Sequence, residues 1–501
     1  MKYLLQFLLF GLLTHLNVYL AQETKVFPDD SAINTQFGNS VSLSGEYAII
    51  ASSRDNAVNH NGGSAYIFKN DGAGWIQTAK LIPNDGAADD MFGNSVAIYG
   101  DYAVVGAYLN DEHGTNCGAA YVFKRNNDAW NQTAKLIPSD VSAGWIFGYC
   151  VAIYDDIIAV GSPSSSTPGW TGIVSVFQRQ GSEWREIQTI APESGVYGEN
   201  FGCSVALSDD YLVVGADKVG APNTGSVYVY NKGSEGWELQ DNLIPSGSYA
   251  GDEFGNSVSI SGVYILVGGS STEFNSPAYI FKREGGNWSE QSKLLPDDNV
   301  NYNHFAENVF IHGYYAFIGA RYAEVGADEC NGAVYVFAMN GNNSWVQTKK
   351  IVASDGSNGD NFGVSVAATD KYLLVGADAA WVGGPNSGAA YFYTSNDFIS
   401  TVDNNEVPQK YFLSQNYPNP LSKGSGGSPS GKIKFSIAKE GEYILQVFNA
   451  LGQKVAIIEE GYFSRGNYRA EFNAGNLPSG VYIYQLLGKD IRISKKMIIL
   501  K

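Results

Sequence analysis

Three features of the 501-residue sequence predict an all-β chain, a seven-bladed β-propeller whose last blade is closed by the N-terminal strand, followed by a small Ig-like β-sandwich. Glycine (58 residues) and aromatics (13%) are abundant while charged residues make up only 16%, a balance that suits short strands joined by tight turns. Phe recurs at 37, 92, 147, 201, 254, 305 and 362, followed by Gly six times and by Ala306 once. The first six copies each carry four strand signals, as in "FGNSVAIYGDYAVVGAYLNDEHGTNCGAAYVFKRNNDAWNQTAKLIP" from Phe92 to Pro138. A period of about fifty residues with four strands per copy is the pattern of a propeller with one sheet per blade.

Residues 1–21 carry basic Lys2, an apolar run from Leu4 to Leu13 and small Ala21, the outline of a secretory signal peptide. That run is too short to span a membrane, and no second run of about 18 apolar residues follows, so no transmembrane anchor is expected.

Residues 22–393 hold the seven copies, and they begin oddly. "KVFPDDSAINTQFG", Lys25 to Gly38, matches the end of a copy such as "KLIPNDGAADDMFG", Lys80 to Gly93, with no beginning before it. The seventh copy ends at "GAAYFY", Gly388 to Tyr393, and lacks the Trp-led fourth strand of the other six. Lys25 to Pro28 is therefore expected to supply it, so that the ring closes and two exposed sheet edges disappear.

Within a copy, "FGNSVAI" places Phe92, Val96 and Ile98 on one face and Gly93, Ser95 and Ala97 on the other. The small set allows close approach at a crowded axis. "GAAYVF" is apolar on both faces, as befits a sheet held between two others. Trp75, Trp130, Trp184, Trp237, Trp288 and Trp345 open the fourth strands and read as packing residues. Turns such as "YGDY" join first to second strands, and Gly/Asn-rich turns such as "NDGAG" join third to fourth. The second-to-third connections vary most; they emerge with the blade-to-blade connections on one face, the expected contact surface.

The net charge of −18 is uneven: residues 411–501 hold 12 Lys+Arg against 6 Asp+Glu, and the rest holds 20 against 44. The sign change marks a domain boundary, and the acidic body argues against nucleic acid or anionic lipid while permitting divalent cations or basic ligands. Cys117, Cys150, Cys203 and Cys330 show no metal spacing; Cys150 and Cys203, in equivalent strands of consecutive copies, are the one pair to check for a disulfide. His60, His113, His304 and His312 show neither metal spacing nor a nucleophile motif, so no enzyme is expected.

By "FG" at six of seven positions and the endings "VVGAY", "VVGAD" and "LVGAD", residues 24–393 resemble the FG-GAP repeat family, whose seven-bladed propellers include the integrin alpha head. The resemblance implies extracellular adhesion or ligand recognition, often with calcium. Calcium sites of that family sit in a D-x-D-x-D-G-x-x-D loop inside the first hairpin, because the ion needs roughly six to eight oxygens. Here that turn has about two residues, too short to wrap an ion. Acidic residues cluster instead in blade-to-blade loops, making Asp85, Asp89, Asp90, Asp355 and Asp360 the calcium candidates. Trp145, Trp170 and Trp381 fall in loops of the variable face, where an exposed ring stacks on a sugar or anchors a peptide. Tyr322, Arg321, Asp111, Glu112 and His113 share those loops.

Residues 394–410 are a polar linker, and 411–501 show short alternating strands between Gly/Pro/Asn turns, the pattern of a small β-sandwich. This segment resembles the type A C-terminal sorting domain of the type IX secretion system. The resemblance rests on "NYPNP" with Pro418, Asn419 and Pro420, "LGQKV" with Gly452, "LPSGVYIYQL" with Gly480 and Tyr482, and "KKMIILK" with Lys495 and Lys496. It implies a Bacteroidetes-type bacterium, outer-membrane translocation directed by the tail, and a sortase-like peptidase that removes it, leaving the cargo released or surface-bound. The expectation is a secreted or cell-surface, non-enzymatic module that binds an extracellular protein or glycan. A polysaccharide-active enzyme and a structural surface-layer component are the alternatives.

Overall fold

A computed structural model describes residues 23–163, 171–192, 199–219, 224–247, 251–270, 276–298, 304–324, 331–340, 343–398, 411–416, 419–422, 430–439, 441–463, 466–475, 477–489 and 491–500. The expected signal peptide, Trp170, Cys330, Pro418 and residues 399–410 of the linker lie outside the described residues.

The first copy folds as four antiparallel strands paired in chain order, Phe37–Ser44, Tyr47–Ser52, Ser64–Asn70 and Trp75–Leu81. Five further sheets repeat it, opened by Val96–Tyr99, Cys150–Tyr154, Phe201–Leu207, Ser257–Ser261 and Phe305–His312. The seventh sheet takes three strands, Phe362–Ala368, Tyr372–Ala377 and Ala389–Thr394, from the end of the repeat and Thr24–Val26 from its start. Thr24 pairs with Phe392, Lys25 with Tyr391 and Val26 with Ala390. Each first strand touches the first strand of the next copy, and the seventh touches Phe37–Ser44 again, so the ring is closed in a propeller arrangement.

The Phe–Gly pair explains itself in three dimensions. Each of the seven Phe side chains is buried, and Phe92 packs edge-on against Tyr121 and Phe123 of the third strand, with centroids at 5.5 and 6.0 Å. The following Gly93 has φ +93°, and a Cβ there would lie 2.6 Å from the Ser64 carbonyl oxygen, closer than any real contact allows. The residue before each Phe also has positive φ: Gln36, Met91, Ile146, Asn200, Glu253, His304 and Asn361 lie between 48° and 61°. The chain thus makes a sharp left-handed kink as it enters every blade.

Serine hydroxyls join neighbouring first strands. Oγ of Ser40, Ser42 and Ser44 accept from the backbone N–H of Val96, Ile98 and Gly100 at 3.1, 3.2 and 3.0 Å, and Ser257, Ser259 and Ser261 do the same for Val309, Ile311 and Gly313. The small inner residues therefore allow close approach and also satisfy backbone donors at the axis. Of the six strand-opening Trp, five are buried; Trp75 stacks on Phe392 of the preceding blade at 3.9 Å, and Trp345 meets Tyr264 edge-on. Cys150 and Cys203 are free thiols. Each points at the next blade, Cys150 Sγ to Gly202 O at 3.1 Å and Cys203 Sγ to Gly255 O at 3.4 Å, so they do not form the disulfide considered from sequence.

The C-terminal segment folds as two sheets. One contains Phe412–Leu413, Ser430–Ile437 and Gly466–Asn473; the other runs, in spatial order, Leu421–Ser422, Ile491–Leu500, Gly480–Gly488, Gly441–Asn449 and Lys454–Phe463. A single core that includes Leu413, Ile433, Phe435, Leu445, Tyr484 and Met497 is shared by both. No helix among the described residues is long and apolar enough to cross a membrane.

Candidate functional site: the loop face

Backbone hydrogen bonds tie blade-to-blade loops to the second-to-third loop of the blade before them. Asp89 N donates to His60 O at 2.8 Å, Gly144 N to Thr115 O at 2.8 Å, and Asn34 N to Pro385 O at 2.9 Å. These loops therefore share one face, as the strand order requires.

Two places before six of the seven Phe residues, among the described residues, the chain enters a buried slot. Thr35, Asp90, Trp145, Glu199, Asp252 and Asp360 occupy it and are all buried. Asp90 Oδ2 accepts from Ala87 N at 2.9 Å and Asn110 Nδ2 at 3.0 Å, and Asp360 Oδ2 accepts from Ser357 N at 2.8 Å. Burial pushes the Asp360 carboxyl up despite that bond. Trp145 fills the same slot with an indole that is 7% exposed, so its ring is not displayed to a partner.

The other acidic candidates meet cations of the chain itself. Asp355 Oδ2 lies 2.7 Å from Lys25 Nζ, and its other oxygen accepts from Tyr391 OH at 3.0 Å. Asp85 is bound by Lys135. The same lysine–aspartate contact links Lys80 to Asp30 and Lys350 to Asp298, where Tyr66 and Tyr335 donate to the same carboxylates. In all four sites the ammonium lies 5.1–5.3 Å from the centre of the third-strand Tyr ring. Asp89 is exposed and bonded to Asn61 and His60, which hold its carboxyl below the usual range. Among the described residues no three His, Cys, Asp or Glu converge to hold a metal. The five aspartates do not fit a calcium site: two cap their own loops, two are neutralised by lysine, and one stands on a turn.

The ligand candidates divide. Asp111 caps a turn by accepting from Asn116 N at 2.7 Å, Glu112 pairs with Lys135, and His113 is exposed beside them. Arg321 and Tyr322 are brought together with two residues the sequence reading did not single out for the site. Arg321 Nε is 2.8 Å from Glu307 Oε2, its guanidinium stands 4.9 Å from the Tyr322 ring, and the His304 ring meets Tyr322 at 4.7 Å. His304 immediately precedes Phe305 and Glu307 follows two places after it, so the repeat register was the available signal. Burial raises the Asp378 carboxyl, opposed by a 2.9 Å bond from Asn361 and by the nearby charges of Arg321 and Arg54. Trp381, on that same seventh blade, is 72% exposed.

In the C-terminal segment the sorting-motif residues are largely structural. Asn419 Oδ1 accepts from Ile498 N at 3.0 Å, fastening the "NPL" stretch to the last strand; Pro420 beside it is exposed. Tyr482 is buried and donates to Pro478 O at 2.9 Å. Gly452 turns the hairpin at φ +77°, Gly480 opens its strand, and Lys495 and Lys496 are exposed on the last strand.

Against known families, residues 20–68, 75–123, 130–177, 184–230, 237–281, 288–337 and 345–393 each match the FG-GAP repeat, and residues 415–500 match the secretion system C-terminal sorting domain. No curated protein matches the chain. Among solved structures, the chain is similar to a crystal structure of a candidate 6-phosphogluconolactonase from Bacteroides uniformis at 12% identity and a TM-score of 0.45, covering 66% of this chain and 89% of that one. A likeness that remote carries no argument about function.

Proposed function

Since the chain belongs to the FG-GAP repeat family and ends in a secretion-system sorting domain, we propose that it is an exported propeller that binds an extracellular protein or glycan, without catalysis, through its loop face. The sorting domain supports a secreted or cell-surface location and contact with the type IX machinery; removal of the tail by a sortase-like peptidase is part of the proposal. One observation carries the binding role: Trp381 is 72% exposed on the loop face, whereas five of the six strand-opening tryptophans are buried in blade contacts. An indole left in water has its large apolar area available to a partner. The Arg321–Tyr322–His304–Glu307 group on the preceding blade adds charged and aromatic contacts suited to the rim of such an interface.

The test is a screen of the full chain against glycans and matrix proteins, followed by Trp381→Ala and Arg321→Ala. Loss of affinity by about tenfold or more in Trp381→Ala with an unchanged melting transition supports the reading. Full binding by both variants overturns it.

A further inference from the structure

The face opposite the loops carries the short turns between first and second strands, and at its centre is a cavity of about 670 Å³ to which all seven copies contribute. Its floor is apolar: Leu43, Leu207, Ile260 and Phe310 line it and are only half-buried. Its rim is polar and of mixed charge, with Glu46, Asp209, Asp210 and Asp370 set beside Lys371 and Arg283, and Tyr154 next to Asp209. Glu46 is paired with Lys371 at 2.6 Å and Asp370 with His312 at 3.1 Å. Asp209 instead neighbours the Tyr154 phenol and, across from it, Glu442 of the C-terminal domain.

Two of the cavity's lining residues, Lys439 and Tyr462, come from that domain. They belong to one end of one hairpin: Glu442 is the cross-strand partner of Tyr462, and Lys439 lies just before its first strand. The adjoining Tyr468, 5.0 Å from Phe463, is hydrogen-bonded to Tyr314 of the sixth blade. The approach of this end brings Lys439, Glu442 and two tyrosines to the well, and the two segments so joined carry net charges of opposite sign.

We propose that the axial well is the docking seat of the chain's own sorting domain, so that the propeller travels with the well capped and presents it only once the domain is removed. The occupant is the hairpin end formed by Lys439, Glu442 and Tyr462. Docking places Glu442 against Asp209, with Asp210 on the same turn and Glu460 on the adjoining strand. Burial, then the Asp209 carboxylate, pushes Glu442 up to about 7. Below that pH it meets Asp209 as a protonated donor. A carboxyl whose value is raised only when docked carries an extra proton in the docked state, so docking weakens as pH rises from the ordinary carboxylate range to about 7 and levels off above it.

The experiment uses the full chain with a protease site placed within residues 399–410, cut after folding. At low ionic strength and pH below 6, the cut domain should co-migrate with the propeller in size exclusion and separate as salt or pH rises. Amides of residues 208–211 and 369–371 should exchange about tenfold more slowly before separation than after it. Tyr462→Ala and Lys439→Glu should each release the domain, while protection of its own core around Leu445 and Tyr484 shows that it remains folded. Separation at every pH with unchanged exchange at the turns overturns the proposal, as does retention of the domain by both folded variants.

Discussion

Lys25 Nζ lies 2.7 Å from Asp355 Oδ2 across 330 residues of chain. The equivalent contacts Lys80–Asp30, Lys135–Asp85 and Lys350–Asp298 span only 50, 50 and 52 residues. One ion pair thus recurs at four places in the ring, and one of the four spans the seam where the chain's start meets the repeat's end.

Removing Gln22 to Asp30 should destabilise the whole disc, because it leaves Ala389–Thr394 as an open edge and takes away buried Val26 together with the seam ion pair. Lys25→Ala alone should cost no more than about 1 kcal/mol, since the pair is partly exposed. Thermal melts of the two variants check this contrast; a deletion that melts like the parent would refute the role of the seam.

Gly93→Ala should be severely destabilising, by roughly 2–4 kcal/mol, because its φ of +93° and the Ser64 carbonyl 2.6 Å from a Cβ cannot both be accommodated. Ala306 already holds the same repeat position with a side chain at φ +71°, so Ala306→Gly should shift stability by less than about 1 kcal/mol. Urea unfolding of both variants measures the difference.

The disc should lose stability in acid. Asp30, Asp85 and Asp355 are held below the usual carboxylate value of 3.8: burial pushes each upward, but hydrogen bonds and charge from Lys80, Lys135 and Lys25 outweigh it. A carboxylate depressed in the folded state contributes stability above its unfolded value and loses it as pH falls through the folded one. The melting temperature should therefore fall below about pH 4, and Lys135→Met should flatten part of that fall.

Calcium should leave the melting temperature of the full chain unchanged relative to chelator. Lys25 and Lys135 already neutralise Asp355 and Asp85, and Asp90 and Asp360 each tie one oxygen, Oδ2, to a loop N–H group. An upward shift with calcium would show that these oxygens are free to rearrange around an ion.

The blade count, the strand order and the seam were all legible in the spacing of seven Phe residues and one orphaned half-copy. The loop face was less so, for two physical reasons. Trp145, Asp90 and Asp360 share one buried slot, but their chemistries differ so much that only the folded loop reveals the equivalence. Lysine and aspartate stand five residues apart within a copy, as at Lys80 and Asp85, yet Lys80 and Lys135 each bind the aspartate of the copy before. Local reading therefore grouped aspartates with one another when their partners lay a full blade away.

The seam also imposes an order of events on synthesis. Thr24–Val26 leaves the ribosome among the first residues of the repeat region, and Ala389–Thr394, which it pairs with, among the last. The sorting domain begins only after that. Any chain long enough to display its export address already contains the strand that completes its ring, so a product cut short before residue 389 forfeits circular closure and its exit ticket in the same stroke.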